Sequence, residues 1–238
     1  MDVFSKKICI SADDFGMCRL GNDRTLFLLE QKKIHRISCL VYGEYNEDDI
    51  QRLVASNAKL DIHLDTETEV KQEGSGRGSV ARRGLYFLYE FWFTKKYLSK
   101  KMEQEWEKQI LLFYKKFGKY PDGLNTHQHI HYFFPFFRVL IRLSKKYSIS
   151  YIRLGKNSFY VPDAVAIILD ILRIFDITLL KRSKKQTSDV LLSFDWFRQG
   201  NFLTIETLYS RLQGRNIEII FHPKREEDFV FLSEKNNF

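Results

Sequence analysis

Four groups of residues in this chain are suited to chemistry: Asp13-Asp14, His63 with Asp65, the histidines of Thr126-His127-Gln128-His129-Ile130-His131, and His222. Each stands at the end of a short run that reads as a strand. One carboxylate and two imidazoles can hold a divalent cation and leave a coordination position open for water. A cation held this way lowers the pKa of that water and polarises a carbonyl. Adjacent aspartates diverge in an extended segment, so one can hold the cation while the other faces the water as a base. A histidine across the site can protonate the leaving group. The set suits hydrolysis of an amide or an ester.

Taken singly, most of these groups have a plainer reading. Adjacent aspartates before a glycine are common in turns and helix caps. A lone His63 or His222-Pro223 is more often structural. The three histidines of the 127–131 segment are harder to dismiss, because in an extended chain positions 127, 129 and 131 point the same way. Five of the six histidines fall at strand ends. In a parallel βα barrel those ends share one face, where the active site lies.

The elements that must position these residues alternate. Strands are expected at 7–12, 37–42, 59–64, from 124 into a loop ending at 131, and at 151–154, 190–194 and 217–221. Helices are expected at 22–33, 48–57, 95–117, from Pro135, and at 162–182 and 204–212. Apolar periodicity carries most of these assignments. Such alternation implies parallel βαβ units and a barrel or barrel-like sheet. Residues 66–83 are polar and glycine-rich, and the stretch 66–94 reads as an irregular insertion within one domain spanning 1–238.

The bulk properties narrow the class. The 238 residues are 44% hydrophobic, enough to bury a sizeable core. Net charge is +8, which allows attraction to anionic glycans or membrane faces, but no nucleic-acid module accompanies it. Cys9, Cys18 and Cys39 match neither a disulfide framework nor a zinc knuckle. The start MDVFSKKICISADDFG lacks the layout of a signal peptide, and no apolar run is long enough to span a membrane. A cytoplasmic protein is expected. Residues 84–93, GLYFLYEFWF, flanked by Arg82-Arg83 and Lys95-Lys96, read either as a buried helix or as a surface touching the inner membrane face.

In order and spacing, Ser11-Ala12-Asp13-Asp14-Phe15-Gly16, Asp61-Ile62-His63-Leu64-Asp65, Asn125-Thr126-His127-Gln128-His129-Ile130-His131 and His222-Pro223 resemble the YdjC-like family of carbohydrate deacetylases. The resemblance implies a (β/α)-barrel-like deacetylase fold. It maps the metal to Asp14, His63 and His127, the base to Asp13 and the acid to His222. The divalent ion is expected to be magnesium, with zinc as the alternative the ligand set also suits. Asn125, Asp65, His129, His131 and Arg153 are expected to support the ligands or touch substrate. The implied substrates are N-acetylated sugars, as oligosaccharides or glycolipid headgroups, and a homodimer is among the expected assemblies. Asn125 stands where the family usually has Asp, and Ser11 where it usually has Asn. The chain ends soon after His222-Pro223, so the expected barrel is incomplete at its C-terminus. Two other functions fit parts of the pattern: another metal hydrolase, such as a phosphoesterase or a glycosidase using Asp13 and Asp65, and a sugar-binding homologue without catalysis.

Overall fold

The computed structural model describes residues 8–65, 80–157, 164–194 and 215–234, with 80–98, 128, 164 and 165 described by backbone alone. The chain alternates β1 (Ile8–Phe15), α1 (Arg19–Glu30), β2 (Arg36–Cys39), α2 (Glu47–Ala55), β3 (Lys59–Leu64), α3 (Val80–Phe117), β4 (Gly123–Thr126), a 3-10 turn (His127–Tyr132), α4 (Phe134–Lys146), β5 (Tyr151–Ile152), β6 (Lys156–Asn157), α5 (Ala164–Arg182), β7 (Val190–Ser193), β8 (Ile217–Phe221) and α6 (Glu226–Glu234). All pairings are parallel, in the order β5-β4-β3-β2-β1-β8-β7-β6. The strands at the two ends of that order, β5 and β6, are separated in sequence only by Arg153, Leu154 and Gly155. The sheet therefore curls until one short stretch of chain serves both its edges. The fold is (β/α)-barrel-like, as expected.

Alternation along the strands sorts side chains to two faces. Ile10, Ala12, Ile37, Leu60, Ile62, Leu64, Leu124 and Ile152 are buried in the apolar core, together with Leu26, Leu28, Leu53, Trp106, Ile110, Phe136 and Phe137 of the helices. The intervening positions Ser11, Asp13, Arg36, Ser38, Asp61, His63, Asn125 and Glu218 are polar and also buried. Together with Arg153 they form hydrogen-bonded groups inside the curl. Helix α2 starts at a capping box, in which Asn46 Oδ1 accepts from the Asp49 amide and Asp49 Oδ2 from the Asn46 amide. Helix α4 starts with Pro135 in its first turn, where a missing N–H costs nothing.

Several boundaries differ from expectation. Strand β1 continues through Asp13-Asp14 to Phe15, because a bulge between Ala12 and Phe15 keeps it paired with β2. Helix α3 opens at Val80 rather than at the expected Lys95, and its backbone takes in residues 84–93, for which a helix is one of the two readings. Residues 127–132 form a 3-10 turn where an extended chain was expected. Helix α6 follows His222-Pro223, a segment that the apolar pattern does not reveal. The expected helix at 204–212, residues 66–79 and the side chains of 84–93 lie outside the described residues. Among the described residues, no helix is long and apolar enough to cross a membrane.

Candidate active site

The site begins at the β1 bulge. Asp14 adopts φ 65 and Gly16 φ 97. Aspartate tolerates the left-handed region better than most residues, whereas a side chain at Gly16 would also meet the Tyr45 ring at 2.7 Å. The bulge is latched from outside. The Gly16 amide donates to Asn22 Oδ1 at 2.7 Å, and Gly16 O accepts from the Glu44 amide at 2.8 Å. The two carboxylates leave this turn toward different partners, as the sequence implied.

Asp14 Oδ1 lies 3.4 Å from His63 Nε2 and 3.4 Å from His127 Nδ1, and the two ring nitrogens are 3.3 Å apart. These atoms form a nearly equilateral triangle at the ends of β1, β3 and β4. Donors around a tetrahedral ion at about 2.0–2.1 Å sit roughly 3.4 Å apart, so the triangle fits one ion with a vertex to spare. Asp14 Oδ1 is buried with no hydrogen-bond partner, which is the state expected of a ligand atom. The other face of His63 is fixed: Asn125 Oδ1 contacts His63 Nδ1, and Asn125 Nδ2 donates to Ser38 Oγ at 2.9 Å. A carbonyl oxygen only accepts, so Nδ1 carries the proton and Nε2 presents its lone pair to the triangle. Asn125 thus orients the ligand as a neutral amide.

Asp13 is held differently. Its oxygens accept from Arg153 Nη1 at 2.6 Å and Nη2 at 2.9 Å, and Arg153 Nε donates to Glu218 Oε1 at 2.9 Å. Burial alone would raise the Asp13 pKa, but Arg153 and the nearby His63 hold it well below the usual carboxylate range. Burial likewise opposes the charge of Asp14, which contacts from His127 and His63 keep well below that range. His63 itself is raised: burial works to lower it, and Asp14 and Asp13 outweigh that.

His222 completes the rim. Its Nε2 is 4.0 Å from Asp14 Oδ2, its backbone N–H donates to Asp228 Oδ2 at 2.7 Å, and its Nδ1 is 4.0 Å from the same oxygen. Burial lowers its pKa, and Asp14 and Asp13 offset part of that. Lys224 Nζ stands 3.1 Å from Asp14 Oδ2. The side chains of His127 and His222 are each 21% exposed while Asp14 is 4%, so the site opens on their side.

The remaining expected residues separate. His131 does not face the triangle: its Nε2 meets Arg153 O at 2.7 Å and its Nδ1 meets Thr126 Oγ1 at 2.6 Å. Both nitrogens are in use, so this imidazole ties the turn to the strand beside it. His129 adopts φ 57, and its Nδ1 is buried without a partner. The 3-10 turn therefore undoes the common direction expected of the three histidines. Asp65 is buried at the end of β3, where Gln109 brackets its backbone: the Asp65 amide donates to Oε1 at 3.0 Å and Nε2 donates to Asp65 O at 2.8 Å. Sequence reasoning misses Lys224, Asp228 and Glu218. The adjacency of Lys224 to His222-Pro223 is the one available signal.

A family model described as YdjC-like protein matches residues 7–236. A carbohydrate deacetylase of Halalkalibacterium halodurans (strain C-125) is 35% identical over 152 residues, covering 60% of this chain and 62% of that protein. The chain thus spans about three fifths of the length of that relative. A solved structure from Enterococcus faecalis V583, named for cellobiose-phosphate cleavage, aligns at TM-score 0.60 and 17% identity over 94% of this chain and 83% of that one. An uncharacterized protein of Agrobacterium tumefaciens C58 aligns at TM-score 0.50 and 10% identity, covering 95% and 80%. These two share the fold.

Proposed function

The chain belongs to the YdjC-like protein family, and on that premise we propose that it is a metal-dependent hydrolase that removes acetyl groups from N-acetylated sugars. The observation that carries the proposal is the triangle of Asp14 Oδ1, His63 Nε2 and His127 Nδ1 around an unpartnered buried oxygen. The sugar is an oligosaccharide or a glycolipid headgroup, in keeping with the name of the Halalkalibacterium relative. One domain spanning residues 1–238 carries the activity.

A divalent ion held by the triangle supplies an acidified water and a polarised amide carbonyl. Asp13, aligned by Arg153, takes the proton of the attacking water as its oxygen bonds to the carbonyl carbon. His222, on the open rim, delivers a proton to the nitrogen as the C–N bond breaks, and acetate and a free amine result. Asp228 accepts from the His222 backbone amide and so fixes the residue that carries the ring. Two imidazoles with one carboxylate would suit zinc, and magnesium is the ion that the family resemblance implies.

The test measures metal content and acetate release from a panel of N-acetylated oligosaccharides and glycolipids on one sample. Asp13→Asn should keep the metal and lose about 10²–10⁴-fold in turnover. Undiminished acetate release from metal-free protein, or none from loaded protein on any substrate, would reject the proposal.

A further inference from the structure

Helix α5 is apolar on more than one side. Its inner face packs on the fold through Ala166, Leu169 and Leu180, all buried. Its outer face is apolar too: Ile168 is 55%, Ile171 53%, Ile174 65% and Phe175 64% exposed. At about 100° per residue these side chains share one stripe with Ile167. A stripe of this kind on one helix calls for a partner.

The same stripe continues into Lys181 and Arg182 at the helix C-terminus, with Lys184 just beyond, and all three are exposed. The only acids of α5, Asp170 and Asp176, are on its buried side, where Asp170 accepts from the Asn157 amide at 2.7 Å. The stripe therefore offers apolar side chains and cations with no acid. A two-fold pairing of α5 with its copy would find no acidic residue on the stripe to meet those cations. An anionic lipid surface meets both features: the apolar side chains enter the acyl boundary and the cations reach the headgroups.

We infer that α5 is an interfacial helix that seats the protein on anionic membranes, lying in the surface without crossing it. It packs against the 3-10 turn that begins at His127, so the docked helix would be a direct neighbour of the element that carries part of the site. That last consequence rests on the deacetylase reading, whereas the docking does not.

The test is sedimentation with vesicles of phosphatidylcholine containing phosphatidylglycerol, against pure phosphatidylcholine, together with the oligomeric state in solution. The protein should bind the anionic vesicles at low salt and be released by added salt. Removing two cations with Lys181→Ala and Arg182→Ala should weaken partitioning roughly 30-fold. Ile171→Glu with Phe175→Glu should abolish it while the melting temperature and acetate release from soluble sugars stay unchanged. No binding by the wild-type chain, binding that survives both pairs of substitutions, or a dimer that Ile171→Glu with Phe175→Glu splits without any vesicle binding would each overturn the inference.

Discussion

Two buried charge clusters occupy the inside of the same curled sheet, and they differ in how their oxygens are used. In the lower one, Asp61 accepts from Arg36 Nε at 2.8 Å and Nη2 at 2.5 Å. Glu218 there accepts from Ser11 Oγ at 2.7 Å, Arg153 Nε at 2.9 Å and Tyr151 OH at 2.5 Å. Both oxygens of both carboxylates are engaged. In the upper cluster Asp14 Oδ1 is enclosed as completely and accepts nothing. A satisfied cluster holds strands together, whereas a rigid one with a spare acceptor is prepared for something else.

The contrast breaks first at the upper cluster. Asp14→Ala and His63→Ala should each lose the bound metal and roughly 10³-fold or more in acetate release, since the ion is worth several kcal/mol to the transition state. Unfolding midpoints of the metal-free proteins should fall modestly, by about 1–3 kcal/mol for His63→Ala, which leaves Asn125 Oδ1 without its partner. Stoichiometric metal in both variants would end the assignment.

The lower cluster should answer the other way. Asp61→Ala strands the Arg36 guanidinium, and the denaturant midpoint should report a loss of about 3–5 kcal/mol. The pair Arg36→Met with Asp61→Leu should recover most of it, because a well-packed apolar pair can replace a buried ionic one. Space is tight there: a side chain at Gly123 would lie 2.6 Å from Arg36 Nη2. No recovery in the pair would mean that the cluster does more than bind strands.

Asp176 sharpens the comparison as a control. Both its oxygens are buried without partners, but among the described residues no imidazole or cation converges on them, and burial pushes its pKa up to about 8. The folded chain then keeps a proton that the unfolded chain releases near pH 4. This group therefore makes stability fall as pH rises from about 4 to about 8, and leaves it level above that. Asp176→Leu should stabilise by about 1–3 kcal/mol and more at pH 8 than at pH 5. Equal gains at both pH values would contradict the shift.

Much of the site is legible in the sequence because strand ends are. Strands β3 and β8 fall where the apolar pattern puts them, and the strand ends mark out Asp13-Asp14, His63 and the 127–131 histidines, among which the family resemblance singles out Asp14, His63 and His127. The 127–131 segment looks extended in the sequence because its turn depends on His131 reaching Arg153 O, a contact across 22 residues. Arg153 shows no local sign of its bond to Asp13, 140 residues away. Lys224 and Asp228 belong to no periodic pattern, and only the fold brings them beside His222.

The pairing of β1 with β8 bears on how the protein is made. Ser11 and Glu218 are bonded across 207 residues. During synthesis one edge of the strand carrying Asp13 and Asp14 stays open until Ile217–Phe221 has left the ribosome. Contacts this distant in sequence form slowly, and an open strand edge is a template for aggregation. Chaperone dependence during expression, followed by an abrupt gain of activity at release, is the expected signature of this arrangement.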